Sequence, residues 1–321
     1  MERDKYIQHI QDIFDGAIGK ARLNHNGIPA NYIPELANAD PEQLSGAIIL
    51  SDGTLISTGD CETHIFTLQS VAKVVSLIGI LEEYGEEKVF GWIHAEASGS
   101  AFSSIAQIER YGATPVNPMI NAGAIALCSH IPGDTQERAK WLDYWVAKLF
   151  NRSLSVNGKV FASERATGDR NRSIAYLLKS RGELALPVDE ALETYFYLCS
   201  FETDIKTAAY LPMILANGGL NPDGVRVISE RTSNNVVSIM ATCGLYDESG
   251  MNLVRTGMPA KSGVSGLIIA VATGRGGVAI SSPRLNEKGG SIRGHEVLYQ
   301  ISQELDWHFA APWGYLKIDK K

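Results

Sequence analysis

The chain has 321 residues, a formal charge of -7 and 20% charged side chains, values typical of a globular protein, so we expect no disorder except at the ends. The acidic balance and the lack of a concentrated basic face argue against nucleic acid or an anionic membrane as a partner. No apolar run approaches the roughly 18 residues of a membrane span, and the charged start MERDKYIQHIQDIFDGA is not a signal peptide, so we expect a cytoplasmic protein.

An amphipathic pattern at the start of the chain predicts a helix over residues 4–20. Two β-rich runs follow in GAIILSDGTLISTGD, joined by Asp52-Gly53, the preferred dipeptide of a two-residue hairpin turn. A second hairpin is predicted far downstream in SGLIIAVATGRGGVAISSP, with its turn at Thr273–Gly277. These two hairpins carry the strong strand signals, and a helix over 291–306 follows the second.

The section between the hairpins is typical of helices. DTQERAKWLDYWVAKLF combines a capping residue, Asp134, with Glu137 three residues later and an apolar stripe that includes Trp145. Further helices are predicted over 188–200, 204–216 and 229–242, the last of them capped by Ser229.

The simplest assembly of these elements is an α+β fold with one antiparallel sheet. We expect residues 1–70 and 245–321 to build a sheet subdomain that the terminal helices cover. Residues 71–244 would form a helical subdomain inserted between them. A small-molecule site would then lie at the seam, because clefts between subdomains are preferred places for such sites.

The cysteines indicate neither a metal site nor a redox pair. Cys61, Cys128, Cys199 and Cys243 are widely spaced among apolar neighbours, and no C-x-x-C pair occurs. We expect four buried, reduced thiols, which agrees with a cytoplasmic location.

Two short motifs indicate chemistry. LQSVAKVV places Ser70 and Lys73 three apart on one helix face, although S-x-x-K alone is weak, since about one is expected by chance in a chain of this size. From the S-x-x-K motif alone, we would interpret Ser70 as a helix cap and Lys73 as a solvated side chain. The K-[ST]-G motif at Lys261–Gly263 favours the other interpretation, because serine acyl-transferring enzymes of the β-lactamase type use this pair of motifs.

The physical chemistry fits such an enzyme. A serine at a helix N-terminus has its own N–H directed outward, ready to donate to an oxyanion. Lys73 can remove the serine proton if burial and a second cation lower its pKa, and Lys261 is the candidate cation. The strand after Lys261 can offer a second backbone N–H.

The chain also contains, in this order, the blocks NYIPELA, TLQSVAKV, NPMINAGAI, CGLYDESG and GMPAKSGVSG. Their order and approximate spacing resemble those of the serine-dependent glutaminases, short microbial type, over residues 20 to 300. The resemblance implies a β-lactamase/transpeptidase-like fold and hydrolysis of the side-chain amide of L-glutamine to L-glutamate and ammonia. It also implies that no cofactor and no metal takes part, and that the protein is a homo-oligomer, dimer or tetramer.

The resemblance implies a catalytic role for several residues of these blocks. Ser70 would be the nucleophile, Lys73 its base, and Tyr246 the proton relay to Ser70 and the departing ammonia. Tyr32 matches a second active-site tyrosine, and Val264 would supply the second oxyanion donor through its backbone N–H.

Four further residues would bind the substrate together with Ser70, Tyr246 and Val264. Glu164 suits the substrate ammonium, with Asp169 as the nearby alternative in its loop. Asn171 or Tyr195 suits the carboxylate, and the fourth residue is Asn121. Without the resemblance, Tyr195 would be interpreted as core and Asn121 as a helix cap.

Two other functions remain open at the level of sequence. One is a serine hydrolase of the β-lactamase type that acts on lactams or esters. The other is a glutamine-binding sensor that keeps the pocket but not the reaction. Ser70, Lys73, Tyr246 and Lys261 together favour an enzyme, and the lack of a clean S-D-N motif disfavours a β-lactamase.

Overall fold

The computed structural model describes residues 3–98, Ile105 and 114–311. Five strands form one antiparallel sheet in the order β2-β1-β7-β6-β5, and two form a separate antiparallel pair, β3-β4. In chain order the strands are β1 (Ser45–Leu50), β2 (Leu55–Gly59), β3 (Ile65–Thr67), β4 (Glu202–Asp204), β5 (Ala260–Ser262), β6 (Leu267–Ala272) and β7 (Gly276–Ser281).

The helices lie at both ends of the chain and between the strands β3 and β5. Those in the described residues are α1 (Arg3–Ala21), α2 (Pro34–Ala37), α3 (Lys73–Tyr84), α4 (Glu86–Trp92), α5 (Asn121–Cys128), α6 (Thr135–Phe150), α7 (Gly158–Thr167), α8 (Asp169–Ser180), α9 (Val188–Cys199), α10 (Ile205–Ala208), α11 (Tyr210–Ala216), α12 (Glu230–Cys243), α13 (Ser249–Thr256) and α14 (Ile292–Leu305). Short 3-10 turns cover Gln69–Ala72 and Tyr246–Glu248.

Both predicted hairpins are present. In the first, Ile49 pairs with Leu55, and Gly53 takes a φ of +86°, which a glycine adopts without steric cost. In the second, Ala272 already pairs with Gly276, so the turn is shorter than predicted and β7 begins inside the glycine-rich segment.

Successive side chains of the sheet point to opposite faces, and each face is buried in an apolar cluster of its own. Ile48 and Ile280 belong to a cluster with apolar residues of α1 and α14, the terminal helices. Ile49 and Ala279, their neighbours along the strands, belong to the larger cluster of the helical section. The predicted α+β fold, an antiparallel sheet flanked by helices, is therefore confirmed.

The middle section follows the predicted helices with two differences. α6 has the full capping box between Asp134 and Glu137, and the Ser229 side chain caps α12. The helix predicted over 204–216 is interrupted at Ala209. The interruption follows from Pro212, which has no N–H to donate to a carbonyl of the preceding turn. The β3-β4 pair was not predicted, because three-residue strands are too short to show an alternating pattern.

The subdomain boundaries at residues 70 and 245 stay a prediction. The larger apolar cluster contains Ala47 and Leu267 of the sheet as well as many residues of the helical section. Cys128, Cys199 and Cys243 are buried free thiols, whereas Cys61, two residues after the edge strand β2, is only partly buried, contrary to our expectation. None of the described helices is both long and apolar enough to span a bilayer.

Candidate active site

The two motifs meet at the junction of sheet and helices. Ser70 lies in the 3-10 turn that leads into α3, and Gly263 directly follows β5. A methyl group on Gly263 would lie 2.8 Å from the Leu68 carbonyl oxygen and 3.4 Å from Gln69 Cβ. The K-S-G segment therefore contacts the Ser70 turn with a closeness that only glycine permits.

Backbone strain is concentrated beside Ser70. Among the described non-glycine residues, four have a positive φ: Gln69, Asn151, Tyr246 and Asp306. Gln69, at +47°, immediately precedes Ser70, and Tyr246, at +58°, contacts it. Such conformations persist only where the surroundings hold them, and they cluster at functional sites.

A short hydrogen-bond chain begins at Ser70. The Ser70 hydroxyl bonds to the Tyr246 phenol, which also accepts from Lys261 Nζ at 3.1 Å. Burial raises the pKa of Tyr246, although the bond from Ser70 opposes this effect. Burial and then the nearby charge of Lys73 hold the pKa of Lys261 well below its ordinary value.

Lys73 is fully buried one residue after the 3-10 turn. Its Nζ donates to Met119 O at 3.2 Å and to Asn121 Oδ1 at 2.6 Å rather than to Ser70. Burial lowers the pKa of Lys73 to about 8. The sequence predicts that burial and a second cation, Lys261, lower this pKa together; burial is the main cause, and the charges of the two lysines repel each other.

A cavity of about 240 Å³ opens beside Ser70. It contains seven of the residues predicted from the sequence and five others: Tyr32, Gln69, Ser70, Asn121, Glu164, Thr167, Gly168, Arg170, Asn171, Tyr195, Cys199 and Val264. Lys73, Tyr246 and Lys261 do not line it. Lys73 contacts its wall through Asn121 and Tyr246 through Ser70, whereas Lys261 bonds to Tyr246 behind the wall. Asp169, the alternative to Glu164, is 92% exposed and forms an ion pair with Arg172.

Glu164 provides the acidic side of the cavity. It is 5% exposed, and within the described part of the chain no basic side chain forms an ion pair with it. Burial raises the pKa of Glu164, while hydrogen bonds from Tyr32 and Gln69 oppose the shift. The Tyr32 hydroxyl lies 2.9 Å from Glu164 Oε1, although the tyrosine as a whole is 47% exposed.

A pair of amide side chains also lines the cavity. Asn121 accepts from Lys73 and donates through Nδ2 to Asn171 Oδ1 at 2.9 Å, which fixes the orientation of both amides. Tyr195 is 4% exposed, and burial raises its pKa well above the ordinary value. Burial also raises the pKa of Cys199 to about 12, so this thiol is no rival nucleophile near neutral pH.

Two backbone donors are free at the site. Neither the Ser70 N–H nor the Val264 N–H donates a hydrogen bond within the residues that the structure describes. Two such donors beside a serine hydroxyl are what an oxyanion needs. For a metal, by contrast, the described residues offer no group of three His, Cys, Asp or Glu side chains.

Sequence reasoning missed five residues of the cavity: Gln69, Thr167, Gly168, Arg170 and Cys199. Gln69 precedes Ser70, and on a regular helix adjacent residues point in different directions; its positive φ brings its side chain to Tyr32 and Glu164. Cys199 follows Tyr195 by four residues on α9, so the helical spacing was a usable signal.

Comparisons with known proteins agree with this geometry. The glutaminase family profile matches residues 27–309. A glutaminase of Legionella pneumophila is 49% identical over 301 residues, 94% of this chain and 97% of that protein. Glutaminase 2 of Clostridium perfringens is 40% identical over 285 residues, 88% of this chain and 93% of that protein.

Solved structures agree as well. That of ybaS, described as a probable glutaminase, has a TM-score of 0.92 at 34% identity and covers 95% of this chain and 99% of its own. A Bacillus glutaminase has a TM-score of 0.84 at 33% identity, with coverages of 92% and 98%. An antiparallel sheet with inserted helices and these neighbours define an amidohydrolase of the β-lactamase-like fold. Within that class, the chain belongs to the glutaminase family.

Proposed function

We propose that the protein hydrolyses the side-chain amide of L-glutamine to L-glutamate and ammonia through a covalent ester on Ser70. The observation that carries this proposal is the cavity itself. The Ser70 hydroxyl in its wall bonds to the Tyr246 phenol, which accepts from the buried Lys261, and a buried carboxylate of the same wall, Glu164, has no cationic partner among the described residues. The names of the relatives support glutamine as the substrate.

The charges of the cavity suit a free amino acid. The substrate ammonium would pair with Glu164, because a buried carboxylate without a partner is costly and a cation relieves that cost. The substrate carboxylate would accept from neutral donors, the Asn171 amide and the Tyr195 hydroxyl. Asn121 would hold Asn171 in place, and Tyr32 would hold Glu164, through the hydrogen bonds of the unliganded site.

The ester forms when Ser70 Oγ attacks the amide carbon. Lys73, as the neutral amine, takes the serine proton, and the Ser70 and Val264 N–H groups stabilise the negative charge on the amide oxygen. In the present geometry Lys73 bonds to Met119 and Asn121, and catalytic hydrogen bonds often tighten only when substrate is bound.

The leaving group needs a proton as the carbon–nitrogen bond breaks. The Tyr246 hydroxyl, between Ser70 and Lys261, would deliver it, and the lysine amines would restore the proton to the phenol. Ammonia then departs, and a water attacks the ester with the same base and the same oxyanion donors. This step releases L-glutamate and returns the proton to Ser70.

The first experiment measures ammonia and glutamate released from L-glutamine. Ser70→Ala should fold and lose activity by at least about a thousandfold, as loss of a covalent nucleophile does in other enzymes. Ser76→Ala is the matched control, a buried serine on α3 whose hydroxyl bonds to the Lys73 carbonyl, and it should stay active. Added hydroxylamine should divert the ester to the γ-glutamyl hydroxamate.

Three results would contradict the proposal. Turnover retained by Ser70→Ala would exclude the serine ester. Hydrolysis of nitrocefin but not of glutamine would indicate a lactam or ester hydrolase. Glutamine binding without turnover would indicate a sensor.

Location and assembly belong to the same proposal. We expect a cytoplasmic homo-oligomer, a dimer or a tetramer. Cell fractionation checks the cytoplasmic location, and sedimentation equilibrium checks the oligomeric state. A monomer at micromolar concentration would contradict the expected homo-oligomer.

A further inference from the structure

Tyr246 has an unfavourable backbone conformation that other residues have to stabilise. Its φ of +58° is unfavourable for a residue with a side chain, so the surrounding structure has to maintain it. The contacts of its hydroxyl with Ser70 and Lys261 depend on this conformation, because the backbone angles set the direction in which the phenol leaves the chain.

The Ser249 hydroxyl makes two hydrogen bonds to the backbone around Tyr246. Its Oγ accepts from the Leu245 N–H at 2.9 Å and donates to the Tyr246 carbonyl oxygen at 2.9 Å. Ser249 is 2% exposed, so water does not compete for these bonds. The hydroxyl thus connects the peptide groups before and after the Leu245–Tyr246 pair.

The usual role of a serine at this position does not explain these bonds. Ser249 is the first residue of α13, and a serine near a helix start ordinarily caps it by accepting from an N–H two or three residues ahead. Here the hydroxyl turns back along the chain, to residues 245 and 246. Its bonds therefore hold the turn that carries Tyr246 rather than the helix that follows.

The flanks of this turn are held independently. On one side Gly244 packs so closely on β5 that an added methyl group would collide with the Ala260 carbonyl oxygen. On the other side Asn286 Nδ2 donates to Glu248 Oε1 at 2.8 Å, and Lys288 forms an ion pair with Asp247. Between these flanks, the two bonds of the Ser249 hydroxyl close the turn that carries Tyr246, together with backbone bonds from the Ser249 N–H to the Tyr246 carbonyl oxygen and from the Glu248 N–H to the Leu245 carbonyl oxygen.

We propose that Ser249 is the positioning residue for Tyr246, which it keeps in the left-handed conformation that places the phenol between Ser70 and Lys261. The inference rests on the proposed function, since it matters for turnover only if Tyr246 moves the proton. Ser249 does not line the substrate cavity, so its loss should affect the chemical step and leave glutamine binding intact.

The test compares Ser249→Ala with the native protein. The kcat for glutamine should fall about 10- to 100-fold, the usual result of misplacing a catalytic group by about 1 Å, while KM changes less than about twofold. Ser233→Ala is the matched control, a serine that is 1% exposed and donates to Leu215 O at 3.1 Å; its kcat should not change. Thermal unfolding of both variants reports any general loss of stability.

The same substitution in a Tyr246→Phe protein distinguishes positioning of Tyr246 from a general structural role of Ser249. If Ser249 acts through Tyr246, then Ser249→Ala should lower kcat no further in a protein that already carries Tyr246→Phe. Equal losses in both backgrounds, or a native kcat in Ser249→Ala, would overturn the inference. If Tyr246→Phe alone keeps the native kcat, the proton relay of the proposed function fails instead.

One further variant keeps the test decisive if Ser249→Ala does not fold. Ser249→Cys preserves the volume of the side chain, but a thiol is a weak hydrogen-bond donor and acceptor. The same selective fall in kcat is expected, and a native kcat in this variant would overturn the inference.

Discussion

At the scale of single residues, the two buried lysines are the strongest chemical feature of the protein. Lys73 and Lys261 are each 0% exposed, and no described carboxylate forms an ion pair with either of them. Burial without a negative partner favours the neutral amine, which can accept a proton from a serine hydroxyl near neutral pH. A paired lysine would stay charged and could not act as a base.

The lowered pKa of Lys73 predicts the pH dependence of turnover. At about 8, this pKa leaves the amine mostly protonated at pH 6 and mostly neutral at pH 9, so kcat/KM should rise through this range. Between pH 7 and 9 the expected rise is about tenfold. Steady-state rates measured from pH 6 to 9 check it, and a flat profile would count against Lys73 as the base.

At the scale of elements, the site depends on how closely β5 and the loop after it approach the Ser70 turn. Lys261 lies on β5 and Val264 in the loop after it, and Gly263 between them contacts Leu68 and Gln69. Close approach of backbone to backbone is what keeps Lys261 near Tyr246 and Val264 near Ser70. Any side chain at Gly263 would push the two segments apart.

Gly263→Ala should therefore impair catalysis more than stability. The added methyl group would lie 2.8 Å from a backbone oxygen, so one segment has to shift, and a fall of about tenfold or more in kcat is expected. Gly16→Ala on α1 is the matched control, because nothing lies within 4 Å of the added group there. It should keep full activity; a fully active Gly263→Ala would show that the contact is dispensable.

At the scale of the whole molecule, buried histidines make stability depend on pH. His64 is 3% exposed and bonds to the Ser45 hydroxyl, and burial lowers its pKa to about 4. Burial lowers the pKa of His130, which stacks on Trp92, to about 4 as well. In the unfolded chain both would titrate near 6.5.

The sign of the effect follows from which state binds the proton more tightly. Because the folded pKa of His64 lies below the unfolded one, its contribution to stability is complete above about pH 6.5 and is lost as the pH falls to about 4. For His64 the loss is on the order of 3 kcal/mol. Urea unfolding at pH 7, 5 and 4 measures it, and His64→Gln should show a smaller decline; an equal decline would contradict this account.

Local patterns in the sequence were enough to predict elements whose signals lie within a few residues. The Asp52-Gly53 hairpin and the Asp134 capping box depend on turn and capping chemistry between near neighbours, and both are present. The Ser70–Lys73 spacing and the K-S-G motif likewise depend on short patterns. They were sufficient to indicate the class of chemistry, and together with the longer blocks they indicated the family.

Contacts between distant parts of the chain decided the rest. The positive φ of Gln69 and of Tyr246 is unfavourable locally, so no propensity scale predicts it, and packing against β5 and the bonds of Ser249 maintain it. The lowered pKa of Lys73 is likewise a consequence of burial, which depends on residues far away in sequence. The sequence by itself determined the family, the sheet and the chemical groups. Only the tertiary structure decided which of those groups touch, because their positions depend on strain and burial that the whole fold imposes.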